Sequence, residues 1–197
     1  SRQKMTQAIG MSEVEGVAGI IVAADAACKA AAVKLAGWES IGGFTTLFVR
    51  GEVSDIESSL LAGTAAAATV SGHVAHNSLL QPEAVIDDFI GVPVDPDDTS
   101  ATAEALGLIE IRGYGLHVEN NDRMVKEADV ELVNVLTVQD RVVCSLVKGE
   151  LGAVERAIEG ARQALSGNEW FMGSAVLSQP EACVVGAFGQ FRKAGGN

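Results

Sequence analysis

The chain has 197 residues, of which 48% are hydrophobic and 5% aromatic, and its formal net charge is -12. This hydrophobic share supports a substantial core, which the shortage of aromatic residues leaves to closely packed Ala, Val, Leu and Ile. The sequence has no basic stripe that could neutralise phosphates, so charge argues against nucleic acid as a partner.

The apolar run over residues 16–38 is long, but Asp25, Lys29 and Lys34 interrupt it. Because a bilayer needs about 20 uninterrupted apolar residues, the run predicts a buried helix and no membrane span. No apolar segment follows residues 1–4, so we expect no secretory signal and a cytoplasmic protein.

The first half of the chain predicts the element order β-α-β-β-α-β-α. Its strands are predicted over residues 8–14, 33–39, 44–50 and 74–80, and its two longer helices over residues 17–32 and 52–69. Gly51 ends the third strand, and Glu52 places negative charge at the start of the next helix, where the helix dipole favours it. Pro82 predicts a last short helix, because the first helical position needs no N–H.

An acidic stretch over residues 87–103 contains Pro93 and Pro96 but no Lys or Arg. Such a segment buries little, so we predict a surface tether between two domains. The predicted boundaries are residues 6–91 for the first domain, 92–104 for the acidic linker and 105–190 for the second domain.

The second half repeats the first half in order and spacing. Ala8-Ile9-Gly10-Met11-Ser12-Glu13 reappears as Ala105-Leu106-Gly107-Leu108-Ile109-Glu110, and Gln81-Pro82-Glu83-Ala84 reappears as Gln179-Pro180-Glu181-Ala182. The second copy predicts strands over residues 105–112, 130–137, 142–148 and 171–178, with helices between them. Each copy is therefore predicted to be an α+β domain of the ferredoxin-like type, an antiparallel sheet with helices packed on one face.

The helices of the two copies differ in polarity. Those of the first copy are apolar or small around most of their circumference, whereas those of the second copy carry charged residues along one face. A helix that is apolar all round is buried on more than one side. Two interpretations stay open: the Ala-rich sequence reflects helix propensity alone, or the first copy's helices face another subunit or a stacked partner.

The three cysteines are Cys28, Cys144 and Cys183. They occupy unrelated places in the two copies and show no CxxC spacing, which predicts reduced core thiols of a cytosolic protein.

Several segments of both copies carry the pattern of a known family. They are Ala8-Ile9-Gly10-Met11 with Glu13, Asp25 to Ala31, Val33-Lys34-Leu35, Ile41-Gly42-Gly43 and Val49 to Val53 in the first copy, and Ala105 to Glu110, Lys126, Val130, Leu132 and Val147 to Leu151 in the second. In order, spacing and doubling they resemble the bacterial microcompartment shell proteins, specifically the tandem-domain class in unpermuted order.

The resemblance implies a structural protein and not an enzyme. It implies homotrimers that mimic a hexagon and tile into the shell of a cytoplasmic microcompartment, with hexameric and pentameric shell proteins as partners. It also implies a central pore that passes small metabolites. No cofactor, metal site or catalytic residue is expected.

The resemblance further implies two sets of site residues. Lys29 and Lys126 match a lysine at the tile edge that packs against the adjoining tile. Gln81 and Gln179 stand where the family often has an arginine before the proline, so this part of the tile edge departs from the family pattern.

The loop between the second and third strands lines the pore in this family. The matching residues are Ser40, Ile41, Gly42 and Gly43 in the first copy and Gln139, Asp140 and Arg141 in the second. Glycines let backbone N–H groups point into an opening, whereas three Asp140 carboxylates repel anions unless Arg141 compensates for them. Neither loop contains cysteine, so the iron–sulfur cluster of some tandem relatives has no ligands here.

Two other functions stay open at this point. One is a ferredoxin-like ligand-binding or enzymatic trimer that does not tile, because the same layers host unrelated chemistry. His73, His76 and His117 are its candidate residues, but they show no metal-ligand pattern. The other is a soluble trimeric scaffold that binds a small molecule between its subunits.

Overall fold

The computed structural model describes residues 7–191 of the protein. Residues 1–4, considered above for a secretory signal, and Thr6, the predicted start of the first domain, lie outside the described residues.

The first copy consists of four strands and two α-helices. The strands are β1 (Ala8–Glu15), β2 (Lys34–Ile41), β3 (Phe44–Gly51) and β4 (Val74–Leu79), and the helices are α1 (Ala18–Ala30) and α2 (Val53–Ala67). Buried and half-buried residues alternate along β3, as expected for a strand with one face on a core. All neighbouring strands pair antiparallel, in the order β4-β1-β3-β2.

The second copy has the same elements in the same order. After the two-residue strand β5 (Val92–Pro93) follow β6 (Ala105–Arg112), α3 (Tyr114–Glu127), β7 (Glu131–Val138), β8 (Val142–Gly149), α4 (Leu151–Leu165), β9 (Phe171–Ser178) and α5 (Ala182–Phe188). Its antiparallel sheet has the order β7-β8-β6-β9. Both sheets also shift register at the same place, between Leu35 and Gly37 and between Leu132 and Asn134. The predicted α+β fold with two repeated units is confirmed.

The last helix predicted for the first copy is wrong in type. Residues Ala84–Phe89 form an exposed 3-10 helix with no buried residue, whereas the equivalent α5 buries Val184 and Phe188. The physical reason is that α5 packs against α1, while Ala84–Phe89 has no such helix to pack on within the described part of the chain.

The linker is more ordered than the surface tether we predicted. β5 pairs with β2 as a fifth strand at the edge of the first sheet, where a proline without an N–H is tolerated. Two ion pairs hold the acidic flanks of this strand to the first sheet: Arg50 with Asp87 at 2.8 Å and Lys34 with Asp97 at 3.1 Å.

Helix α1 lies between α2 and the second copy. It contacts β6, β9 and α5, and its residue Ile21 belongs to one continuous core with Leu106, Leu108 and Phe188. The second copy of the same chain therefore buries the apolar circumference of α1, which neither open interpretation anticipated. Helix α2 keeps an exposed outer face, on which Leu61 is 77% exposed. None of the helices in residues 7–191 has the length and apolar character needed to cross a membrane.

Candidate assembly interface

A carboxylate of the second copy caps the first helix of the first copy. Glu110 of β6 accepts hydrogen bonds at 2.7 Å from the N–H of Val17 and at 2.8 Å from the N–H of Ala18. The first N–H groups of a helix lack partners inside it, and its dipole favours negative charge at that end. Gly16 makes room for the cap, because an added Cβ would lie 2.2 Å from Glu110 Oε1. Its φ of +81° is a second reason for glycine at this position. We call this contact between the two copies of one chain the in-chain interface.

Glu110 is a buried carboxyl group with an altered acidity. Burial raises its pKa from 4.5 to about 7, and the Glu15 carboxylate acts in the same direction. The two N–H donors and the Arg112 guanidinium oppose this rise without cancelling it. The charge of the cap therefore changes near neutral pH.

The last turns of α1 are held by a second carboxylate. Asp25, only 4% exposed, accepts from the N–H of Glu181 at 2.8 Å and from Lys29 Nζ at 2.7 Å. Lys29 Nζ also donates to the carbonyl oxygen of Ser178 at 3.2 Å. The predicted tile-edge residue Lys29 thus lies at the in-chain interface, with 39% of its side chain still exposed.

The two predicted pore loops meet at one side of this interface. The N–H of Gly42 donates to Gln139 Oε1, and a Cβ added to Gly43 would lie 2.8 Å from Asp140 Cβ. Ile41, at the tip of the first hairpin, is 71% exposed. The structure therefore brings the loop residues of both copies together, although nearly half the chain separates them in sequence.

Both loops turn with left-handed backbone. Gly42 and Gly43 have φ of 59° and 86°, and Asp140 and Arg141 have φ of 63° and 62°. Two consecutive residues of this kind suit the twist of a hairpin, and glycine adopts them without strain. The same backbone in Asp140 and Arg141 costs roughly 1–2 kcal/mol for each residue.

The two charged residues of the second loop, Asp140 and Arg141, have different partners. Asp140 Oδ2 lies 3.3 Å from Arg112 Nη2, and Arg112 also pairs with Glu15. Arg141 instead places its guanidinium over the ring of Trp170, 4.7 Å from the ring centre. The cation beside Asp140 is therefore Arg112, whereas Trp170 holds the Arg141 side chain by a cation–π contact.

The in-chain interface covers one stripe of α1 whose equivalent on α3 is open. Val17 and Ile21 are 0% exposed, whereas their counterparts Tyr114 and Val118 are 67% and 52% exposed. Further along the same stripe, the side chain of Asp25 is 6% exposed and that of its counterpart Asp122 is 60% exposed. The N-cap residue of α3 is Gly113, which has no side chain that could cap the helix.

The complementary surface is open on the first copy. Glu13, the counterpart of Glu110, is exposed on β1. Leu79, Ile86 and Phe89 are 38%, 38% and 79% exposed, and their counterparts in the second copy are the covered residues Leu177, Val184 and Ala187. The exposed stripe of α3 thus matches one half of the in-chain interface, and the exposed surface around Glu13 and Leu79 matches the other half.

The model of the BMC domain family matches residues 8–82 and again residues 105–180. The chain belongs to the BMC domain family. It holds two such domains in tandem, as the resemblance in its sequence implied.

Relatives of this BMC-domain chain include proteins of microcompartments. It is 28% identical over 171 residues to the carboxysome assembly protein CcmO of Synechococcus elongatus, a match that covers 83% of this chain and 62% of that protein. The chain therefore spans less than two thirds of that relative's length. The carboxysome shell protein CcmK2 of Thermosynechococcus vestitus is 46% identical over 69 residues, which cover 34% of this chain and 68% of that protein. The bacterial microcompartment shell protein PduA of Citrobacter freundii is 38% identical over 85 residues, which cover 43% and 91% of the two chains.

A solved structure, a microcompartments protein from Desulfitobacterium hafniense, is 23% identical and covers 89% of this chain and 96% of its own, with a TM-score of 0.39.

The predicted tile-edge residues of the BMC-domain chain have different surroundings in the two copies. Lys29 donates to the carbonyl oxygen of Ser178, the residue directly before Gln179. Lys126 pairs with Asp122 four residues earlier, at 2.7 Å, and is 71% exposed. Gln81 is exposed beside Pro82 at the open end of the first copy. Their contact with another tile stays a prediction.

The histidines considered above do not converge. His73 Nε2 lies 3.7 Å from Glu15, whereas His117 is 3% exposed and packs edge-on against Tyr114. Residues 7–191 contain no group of three or more His, Cys, Asp and Glu side chains placed to hold a metal ion.

Sequence reasoning missed the residues that join the copies. Glu110 and Asp25 belong to the family pattern in the sequence, but the pattern does not reveal that Glu110 caps α1 or that Asp25 of α1 binds the N–H of Glu181. A signal was present, because Glu13 and Glu110 form one repeated pair and Asp25 and Asp122 another.

Proposed function

We propose that the chain is a structural shell protein of a bacterial microcompartment that acts as a homotrimer with a pseudohexagonal outline. The observation that carries the proposal is the pair of open half-interfaces, because the exposed residues of each are counterparts of residues that the in-chain interface buries. Membership of the BMC domain family and similarity to proteins named as carboxysome and microcompartment shell proteins support the same role.

Each chain would join the next by the interface that already joins its own two copies. Glu13 of one chain would accept hydrogen bonds from the N–H groups at the start of α3 in the next chain. Val118 of that α3 would pack against the apolar surface around Leu79 and Ile86 of the first chain. Such a head-to-tail contact closes into a ring or runs on as a filament. A ring is favoured because both hairpin loops lie on one side of the chain, where a common axis would pass.

Six copies around that axis would make a tile of three chains with loops of two kinds in alternation. Ser40, Ile41, Gly42 and Gly43 would line the opening from the first copies, and Gln139, Asp140 and Arg141 from the second. Asp140 is 61% exposed, so its charge acts on passing solutes even though Arg112 is near. We propose that the opening passes small metabolites and disfavours anions.

The outer edge of the tile would make the shell. Lys29 and Lys126 would lie at equivalent places on this edge with Gln179 and Gln81, and would contact neighbouring tiles, including hexameric and pentameric shell proteins. The proposed role is structural and not enzymatic, and the proposed location is the microcompartment shell in the cytoplasm.

The trimer is tested by placing a charge in the open half-interface. Val118→Asp puts a carboxylate where the equivalent Ile21 is fully buried, so we expect it to abolish trimers. Leu61→Asp is the matched control, because Leu61 is a still more exposed apolar residue that lies outside both half-interfaces. Native mass spectrometry should give three times 20.4 kDa for the unaltered chain and for the control, and 20.4 kDa for Val118→Asp. Trimers of normal stability from Val118→Asp refute the proposed contact.

Tiling is tested separately from trimer formation. The double variant Lys29→Ala with Lys126→Ala should lose the extended sheets that concentrated protein forms in electron micrographs. It should still form the trimer, because the buried apolar residues and the carboxylate caps carry the contact between copies and the Lys29 side chain is 39% exposed there. Sheets of undiminished extent would exclude these lysines from the contact between tiles.

A further inference from the structure

Two thiols meet across the in-chain interface. Cys28 lies on α1 one turn after Asp25, and Cys183 lies at the start of α5, two residues after Glu181. The hydrogen bond of 2.8 Å from the Glu181 N–H to Asp25 fixes these two segments side by side. The two half-buried thiols lie close enough for each to shift the pKa of the other, and both are free. Cys144 is fully buried, whereas Cys28 and Cys183 are half-buried against the same core.

We propose that Cys28 and Cys183 form a thiol–disulfide site that covalently joins the two BMC domains of one chain when a low-molecular-weight disulfide is the oxidant. The Cys183 thiolate attacks one sulfur of the oxidant and releases a first thiolate. The Cys28 thiol then loses its proton and attacks Cys183 Sγ, which releases a second thiolate. Two protein thiols are oxidised to one disulfide, and one disulfide of the oxidant is reduced to two thiols.

The pKa values of the two thiols determine which of them attacks the oxidant first. The hydrogen bond from Cys28 lowers the pKa of Cys183, and it raises the pKa of Cys28. Because the thiolate is the nucleophile, Cys183 reacts first and Cys28 resolves the mixed disulfide. Burial raises the pKa of Cys144, which has no exposed surface for an oxidant to reach.

The site is restricted to the in-chain interface. The counterparts of Cys28 and Cys183 in the repeat are Val125 and Val85. The equivalent contact between chains, in the proposed trimer, would bring two valines together and could not be oxidised. The inference goes beyond the proposed function and rests only on the contact of the two copies within one chain.

The test uses the full chain and glutathione disulfide as the probe. After incubation of the native protein and blocking of the remaining thiols, we expect peptide mapping to show one Cys28–Cys183 disulfide and one free cysteine in place of three. The oxidised protein should unfold at a higher temperature than the reduced protein, because the disulfide closes a loop over most of the chain. Dithiothreitol should reverse both changes.

Three variants decide between the outcomes. Cys28→Ser and Cys183→Ser should each abolish the disulfide and the thermal shift, while Cys144→Ala should keep both. Glutathione that stays attached to Cys183 without closure, three free thiols after incubation, or a disulfide between two chains would each overturn the proposal. Loss of the trimer in other experiments leaves this test unaffected, because the disulfide forms within one chain.

Discussion

Replacing the buried cap Glu110 by glutamine should make the protein relatively more stable as the pH rises. Glu110→Gln keeps the size of the side chain and an oxygen that can accept from the N–H groups of Val17 and Ala18, but it removes the titrating carboxyl. Because glutamine does not titrate, the difference between the variant and the original chain isolates this one group from all others that change with pH.

The magnitude follows from the pKa of Glu110, which burial raises from 4.5 to about 7. Below pH 4.5 the carboxyl is protonated in both the folded and the unfolded chain, so it adds no pH dependence. Between pH 4.5 and 7 the unfolded chain releases the proton while the folded chain retains it, so stability falls as the pH rises. At about 1.4 kcal/mol for each pKa unit, the free energy of unfolding falls by about 3 kcal/mol relative to the glutamine variant.

The assay is urea denaturation from pH 5 to pH 8, followed by the fluorescence of Trp38 and Trp170 at one fixed protein concentration. Glu57→Gln, on the exposed face of α2, controls for the change in net charge. Parallel stability curves for Glu110→Gln and the original chain would refute the reasoning. An opposite slope would mean that the two N–H donors and Arg112 outweigh burial.

Three further predictions concern the loops and the contact between chains. Asp140→Gly should raise the free energy of unfolding by about 1 kcal/mol, because it relieves a φ of 63° and loses only a partly exposed ion pair with Arg112; a lower denaturation midpoint would contradict this. Gly43→Ala should lower that free energy by at least about 1 kcal/mol, because φ is +86° and the new methyl group meets Asp140 at 2.8 Å; unchanged stability would count against the loop contact. Val85→Cys with Val125→Cys should give chains linked by disulfides on a non-reducing gel, and neither single variant should; a double variant that stays unlinked under oxidation would place these residues apart.

The repeat made most of the fold predictable. The two copies supply independent evidence for each strand and helix, and turn residues such as Gly51 and Pro82 mark their ends. Ala84–Phe89 and β5 were missed for a common reason, because their structure depends on contacts that local sequence does not reveal. A short segment becomes an α-helix when another helix covers it, as with α5, and the linker became a strand because β2 offers it a free edge.

The candidate site was only partly predictable. The loops around Gly42 and Asp140 could be found, since they sit at the same hairpin of each copy. Their contact with each other, the cap by Glu110 and the pairing of Cys28 with Cys183 all depend on how two domains dock. Docking is decided by the sum of many apolar contacts along α1, so no single motif in the sequence encodes it.

The central claim is that chains join by repeating their own in-chain interface, and electron cryo-microscopy of the purified particle tests it most directly. The account predicts three chains around one axis, with Glu13 of each chain within hydrogen-bonding distance of the N–H groups at the start of α3 in the next. It also predicts that Gly42 and Asp140 alternate around that axis. A particle in which Glu13 and the start of α3 stay exposed to solvent, or in which these loops lie away from the axis, would contradict the account.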